Sequence, residues 1–360
     1  MEKHQVVIIG AGPAGSSCAK ALHEAGIQAI IIEKESLPRH KTCSGVLFGQ
    51  TQELLQQFFG ALPPEGIYCE PKTIQASQIL EWKHEQGFIQ YFWEIPKNDH
   101  SFPETYYNAW RNKFDHWLVE QSGALVREKC LFRGFTAEQE HVSVDIFLSD
   151  VKKLEPGEEN DPNRTIQCDY LVGADGSASA VRRVLTPDVW ASTTDIVYYQ
   201  EYCPITDMGT LRDGYWYVFF EKSVGEMLCC MHRKDNCFVP CVGAFRGGDL
   251  RACMERFKGF LRENFKVILG QKERAEGVII KMWPPDLGCG RVLLTGQAGG
   301  FIYLNDEGIS AAMDSGYRCG KAIARVLREG GDALEYYRKS TEDILRHVQK
   351  CAEQIHFLVE

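Results

Sequence analysis

The sequence predicts an α/β fold: a parallel βαβ unit at the amino terminus, a second, mostly antiparallel sheet interleaved with it, and carboxy-terminal helices. Three observations predict it. The apolar run Gln5–Ile9 leads into Gly10-Ala11-Gly12-Pro13-Ala14-Gly15, and a second apolar run, Ile27–Glu33, follows a helical stretch. Segments 73–95 and 194–245 are rich in aromatic and β-branched residues, the composition of strands. Residues 308–328 and 332–359 read as helices after the last core strand, Arg291–Thr295.

The first unit carries its own punctuation. Ser16–Ala25 has helical character and stops at Gly26. Leu47–Phe59 reads as a second helix, and Tyr107–Ser122 as a third, with Trp110, Phe114, Trp117 and Leu118 on one face. Ala124–Arg127 is a short strand, and Cys130–Asp150 reads as further strands. Val151–Arg164 is polar and reads as an exposed loop before the strand Thr165–Gly173. Asp249–Asn264 is helical, and Val278–Trp283 is a strand.

At 360 residues the chain is too long for one small core. Its apolar runs fall far short of the ~20 residues a spanning helix needs. The start, Met1-Glu2-Lys3-His4, runs into a strand without a secretory pattern, so a cytoplasmic protein is expected, peripheral to the membrane if its substrate is a lipid. The net charge of −9 argues against nucleic acid as a partner, which calls for a basic face.

In that compartment the 14 cysteines are expected as free thiols. The cluster Cys229, Cys230, His232, Cys237 and Cys241 lacks zinc or iron–sulfur spacing. It alternates like a hairpin about Asp235-Asn236, which puts Cys229 and Cys230 on opposite faces. No metal site is expected.

The glycine segment has a mechanical reading. Gly10 permits the tight turn, Gly12 lets backbone approach a pyrophosphate, and Gly15 allows close packing of helix on strand. Pro13 and Ala14 open a helix whose free N–H groups and partial positive charge suit phosphate. Glu33 stands 18 residues after Gly15, at the end of the second strand, where a carboxylate accepts ribose hydroxyls. This unit alone fits either FAD or NAD.

Two further segments separate them. Gly173-Ala174-Asp175-Gly176-Ser177-Ala178-Ser179-Ala180-Val181-Arg182 resembles a motif of flavoproteins with the para-hydroxybenzoate hydroxylase fold. Leu294-Thr295-Gly296-Gln297-Ala298-Gly299-Gly300, with Glu307-Gly308-Ile309, resembles their third motif, at the ribityl chain and isoalloxazine ring. Within that fold the chain resembles the geranylgeranyl reductase family. Lys41-Thr42-Cys43-Ser44-Gly45 is similar to its K-x-C-[GS]-G segment beside the flavin. Arg111–Leu118 is similar to its R-x-x-F-D-x-x-L helix, and Tyr215–Phe220 to its Y-x-W-x-F-P motif at the substrate cavity.

The resemblance implies a Rossmann-like FAD-binding domain over 1–72, 105–190 and 285–330. The substrate domain would take 73–104 and 191–284, and residues 331–360 a helical segment. It implies a cofactor set of Gly10, Gly12, Pro13, Ala14, Gly15, Glu33, Lys34, Cys43, Ser44, Gly45, Arg111, Val126, Asp175, Gly176, Gln297, Gly300, Gly308 and Ile309. Gln297 replaces the family's aspartate, but an amide still hydrogen-bonds hydroxyls. Tyr217 replaces its tryptophan and Phe220 its proline. Aromatic hydroxylases of this fold carry a histidine where this chain has Gly300, and a proline soon after, which Phe301–Glu307 lacks. The halogenase pattern W-x-W-x-I-P is also missing.

The expected activity is hydride transfer from reduced flavin to a C=C bond of an apolar or isoprenoid-like substrate, with NAD(P)H or a reduced carrier such as ferredoxin as donor. A flavin monooxygenase or halogenase acting on a small aromatic, and a flavin electron-transfer protein, stand as alternatives. Cys43 is the catalytic candidate, as proton donor or ring-tuning thiolate, against the reading of a small loop-packing residue. Tyr215, Tyr217 and Phe219 alternate onto one strand face, as a substrate-pocket wall or as sheet core. Trp82, Phe92 and Trp93 could oppose them or fill core. Lys41 and Arg39 can steer phosphates or a substrate acid, or stand as solvated loop charges.

Overall fold

A computed structural model describes residues 2–74, 76–83, 87–92, 106–149, 162–193, 195–225, 227, 229–282, 284–303 and 307–359. Its first sheet grows from the apolar run at the amino terminus. Val6, Val7, Ile8 and Ile9 are all buried, as a strand covered on both faces requires. Glu2–Ile9 pairs in parallel with Ala29–Ile32 on one side and Asn163–Gly173 on the other. Leu125–Arg127 and Val292–Leu294 extend the parallel set outward. An antiparallel pair, Cys130–Ala137 and Val142–Leu148, branches from Asn163–Gly173.

The second sheet is nearly all antiparallel. Its order is Ile268–Leu269, Asp195–Asp207, Cys237–Phe245, Cys229–Lys234, Tyr215–Phe220, Ala76–Lys83 and Gly87–Phe92. Arg274–Lys281 also pairs with Asp195–Asp207, and Tyr215–Phe220 meets Ala76–Lys83 in parallel. The helix Leu250–Phe265 covers one face. A small third sheet, Val46–Leu47, Tyr106–Ala109 and Tyr68–Ile74, packs on the second through Trp216, Val218 and Cys230. The α/β class and the interleaved antiparallel sheet are therefore as the sequence implies.

Three local expectations change. Tyr106–Ala109 is a strand, and the helix begins only at Arg111. Tertiary pairing overrides the helical pattern here: the Ala109 N–H donates to Gly45 O, and Asn108 donates to Pro71 O and Arg233 O. Two short helices, Ala180–Leu185 and Pro187–Ser192, were not foreseen. The first is capped by Ser179, and the second starts on Pro187. The strand read as Val278–Trp283 starts at Arg274. Trp93 and residues 150–161 of the polar loop lie outside the described residues, as do the side chains of Trp82 and Phe92.

The carboxy-terminal part folds back on the first unit. The helix Ile309–Glu329 lies along Pro13–Glu24, and the helices Ala333–Ser340 and Glu342–Val359 follow. The contact is backbone on backbone: a Cβ on Gly316 would collide with Ala14 O, and one on Gly320 with Cys18 O. Among the described residues no helix is long and apolar enough to cross a membrane. Gly316→Val should force these helices apart and cost about 1–3 kcal/mol, the usual range for overpacking. A urea unfolding midpoint at the wild-type value would show that the helices yield freely.

Candidate active site

The three glycine-containing segments come together at one end of the parallel sheet. Gly10 has φ +107°, and a Cβ there would lie 2.6 Å from Ala174 O and 3.0 Å from the Asp175 Cα. Gly15 sits hard against Gly10 O. A Cβ on Gly296 would lie 2.8 Å from that of Ala14, and one on Gly308 3.1 Å from Gln297 Nε2. Gly300, at φ +81°, turns beside Pro284 and Pro285. The chain thus approaches itself where side chains would not fit.

Asp175 acts within its own turn. Its carboxylate accepts from Ser179 Oγ at 2.6 Å and from the Ala180 N–H at 2.6 Å. Burial raises its pKa, and these donors oppose that rise. Gly176, at φ +80°, closes the turn, and the capped helix carries Arg182 inward to donate to Ala298 O and Pro284 O. The second and third motifs are therefore bonded to each other. Glu307 closes the third, accepting from the Ile309 and Ser310 N–H groups.

Pro13–Glu24 begins at Gly12 with no side-chain cap, so its first N–H groups remain available to an anion. Glu33 is buried at the end of the neighbouring strand. Its carboxylate accepts from the Ala11 N–H at 3.0 Å, the Glu35 N–H at 3.1 Å and Arg39 Nε at 3.1 Å. Arg39 also donates to Asp115 Oδ2 at 3.2 Å, which corrects its reading as a freely solvated steering charge. Asp115 is gripped again by Arg111, through Nε at 2.9 Å and Nη2 at 3.0 Å. The result is a buried relay of alternating charge, Glu33–Arg39–Asp115–Arg111. Asp115 was missed as a residue in its own right, although its place four residues after Arg111 is the signal for a helical ion pair.

Arg111 leads to Cys43. The half-buried thiol lies against the guanidinium and receives the Gly45 N–H at 3.4 Å. Burial alone would raise its pKa; Arg111, the Gly45 N–H and Lys41 outweigh that and lower it. The loop is fixed from both sides. Ser44 O receives a hydrogen bond from His232 Nε2 at 3.1 Å, and Gly45, at φ +70°, lies against Ala109 O. Burial, and then the Lys234 charge, pull His232 down to about 3, so its ring is neutral. Lys234 is itself buried, donating to Ala109 O at 2.7 Å and Asn108 Oδ1 at 2.9 Å.

The alternation of Cys230, His232 and Lys234 marks this strand face as the one turned toward the loop. Cys229 lies on the opposite face, as the hairpin reading requires. That opposite face corrects the aromatic wall. Tyr217 and Phe219 are core: Phe219 meets Phe257, Phe260 and Phe265 of the covering helix, and Tyr217 Oη donates to Arg212 O. Tyr215 is partly buried against the same cluster, while Trp216 and Val218 point the other way. Lys34 stands outside the constellation, largely exposed beside Glu35. Val126 is a strand residue paired with Ile31 and packed on the core.

Residues 3–245 match the family model of the FAD binding domain. The chain belongs to this family. The flavoprotein is 26% identical to an uncharacterized protein of Methanosarcina barkeri, over 96% of this chain and 81% of that one. In fold it is similar to a geranylgeranyl bacteriochlorophyll reductase-like protein of Thermoplasma acidophilum. That match has a TM-score of 0.81 and 18% identity, and covers 100% of this chain and 88% of the other. The myxobacterial chondrochloren halogenase CndH shares the fold at a TM-score of 0.72 and 15% identity, over 96% and 79% of the two chains.

The relay yields two expected outcomes. Asp115→Asn leaves buried Arg111 without a carboxylate and Arg39 with Glu33 alone, and should cost about 3–5 kcal/mol, the range for breaking a buried pair. Chemical denaturation measures it, and a loss below that range would mean Arg39 and Arg111 find other partners. The Cys43 thiolate should form at lower pH than a free thiol and persist as pH falls through the ordinary thiol range. Arg111→Met should move that titration upward, read as thiolate absorbance against Cys43→Ser. Matching titrations in the two proteins would remove Arg111 as the cause.

Proposed function

We propose that this flavoprotein is a reductase that saturates a C=C bond of an apolar or isoprenoid-like substrate. The observation that carries the reading is Cys43, held with a lowered pKa between Arg111 and the Gly45 N–H on the loop beside the cofactor cradle. The cradle fits FAD: an uncapped helix start, a glycine with no Cβ to bar a pyrophosphate, and a buried carboxylate meet there. Gly10, Gly12, Pro13, Ala14 and Gly15 would hold the pyrophosphate, and Glu33 the ribose. Arg111, Val126, Asp175, Gly176, Gln297, Gly300, Gly308 and Ile309 would shape the remainder, with Ser44 and Gly45 beside the ring.

Bound FAD supplies hydride when reduced, and addition across C=C also needs one proton. Cys43 Sγ serves as the proton donor. A thiol shifted toward neutral pH gives up its proton more readily than an ordinary one and can be reprotonated from water. Arg111 stabilises the thiolate left behind, and Asp115 keeps that guanidinium in place. His232, neutral and bonded to Ser44 O, holds the loop without adding charge. The electron donor is NAD(P)H or a reduced carrier such as ferredoxin.

Anaerobic reoxidation tests this reading. The protein is reduced with dithionite and mixed with geranylgeranyl lipid or, separately, with oxygen. Rapid flavin reoxidation by the lipid, with saturated product, is expected. Cys43→Ser should slow it about a hundredfold, the lower end for loss of a general acid. Lipid that leaves the flavin reduced, with oxygen giving a hydroxylated or halogenated aromatic, would replace the reductase with an oxygenase. Protein that neither retains nor takes up FAD would overturn the assignment of the cradle.

A further inference from the structure

The hairpin of Cys229–Lys234 and Cys237–Phe245 brings together two cysteines that the site above does not use. Cys230 and Cys241 are direct register partners across its two strands. Direct partners in an antiparallel ladder have Cα atoms about 4.5–5.5 Å apart, inside the ~4.4–6.8 Å that a disulfide spans. Such partners also point to the same face of the sheet. The face is the one turned toward the Cys43 loop: Cys230 is buried in a cluster with Val46, Trp216 and Val218, and Cys241 packs against that cluster. Both sulfurs are thiols in this structure.

The neighbours across the sheet set the surroundings of the pair. Gln200 stands opposite Cys241 on its far side, and Val218 stands opposite Cys230. The Gln200 amide donates to Tyr202 Oη at 3.0 Å and to Glu276 Oε1 at 2.6 Å. The thiols therefore lie where a polar part of the sheet face meets an apolar one. They differ in exposure. Cys230 is 8% exposed, whereas Cys241 is half-buried and also packs against Ile196, Tyr198 and Ile280. A small reagent thus reaches Cys241 first, with Cys230 behind it. An accessible thiol next to a second one that can resolve it is the arrangement of a reversible oxidation site. Closing the bond needs only side-chain rotation, because the strand pairing already sets the span.

We propose that Cys230 and Cys241 form a modification site for a small hydroperoxide, with Cys241 the attacked sulfur and Cys230 the resolving one. With hydrogen peroxide, Cys241 Sγ attacks one peroxide oxygen, the O–O bond breaks, and a sulfenic acid and one water result. Cys230 Sγ then attacks Cys241 Sγ, the S–O bond breaks, and the hydroxyl leaves with the Cys230 proton as a second water. The two thiols lose two electrons and two protons, and the peroxide gains them. Val46, in the cluster that buries Cys230, directly follows Gly45, so the turn of Cys230 toward Cys241 alters the packing behind the Cys43 loop. The site goes beyond the reductase reading and does not depend on it.

The test is peptide mapping of the FAD-loaded protein after treatment with hydrogen peroxide. The protein is denatured, its remaining thiols are alkylated, and the digest is compared with and without dithiothreitol. The expected result is a linked peptide pair joining Cys230 to Cys241, with both lost from the alkylated pool and both recovered by dithiothreitol. Fragmentation within the pair tells Cys230 from Cys229 and Cys241 from Cys237. In Cys230→Ser, Cys241 should stop at the sulfenic acid, which dimedone traps. Cys241→Ser should abolish the link, and Cys229→Ser, altered on the opposite face, should keep it. Retained FAD and melting temperature certify the fold of each variant, and the wild-type map decides by itself where a variant does not fold. Cys230 and Cys241 both fully alkylated after peroxide, or a link formed at another pair such as Cys229 and Cys253, overturns the proposal. Failure of lipid to reoxidise the flavin would remove the reductase and leave the linked peptide as it is, so the two readings fail separately.

Discussion

The buried relay Glu33–Arg39–Asp115–Arg111 is the constraint on which the site depends. Asp115 is shared by two guanidinium groups, and Arg39 spans two elements that are distant in sequence. Burying any one of these charges alone would be prohibitive; buried together they cancel. The relay joins the strand end that carries Glu33 to the helix that carries Arg111, and so to the Cys43 loop. The thiol's pKa is lowered because Arg111 is held beside it, and Arg111 is held by Asp115, which Arg39 fixes in turn.

Much of this was legible in the residues. The glycine segment, the acidic strand end and the two later motifs pointed to one nucleotide-binding frame, because each is a local backbone requirement written as residue type. Cys43 and Arg111 were found by likeness to a known pattern. Their meeting was not visible, since 68 residues separate them and only the fold brings them together. Lys234 escaped notice for the same reason, and Asp115 because its second partner, Arg39, is 76 residues away. A charged residue in a helix or hairpin reads as solvent-facing until its partner is known.

The aromatic strand shows the opposite error. Tyr215, Tyr217 and Phe219 share a face, as alternation demands, but periodicity does not say which face meets the pocket. The helix Leu250–Phe265 decided it by supplying Phe257, Phe260 and Phe265 as partners. The polar alternation Cys230, His232, Lys234 on the adjacent strand was the better pointer, because polar side chains on a buried face need a reason to be there.

The glycine contact between Pro13–Glu24 and Ile309–Glu329 bears on biosynthesis. The helix Pro13–Glu24 is made long before the helix that buttresses it, Ile309–Glu329. A nascent chain therefore presents an unfinished cradle while nearly three hundred residues of interleaved sheet emerge. The first helix gains its finished packing only after Ile309–Glu329 has left the ribosome. Until then the apolar face of the first helix lacks its cover, and chaperones would find their target there.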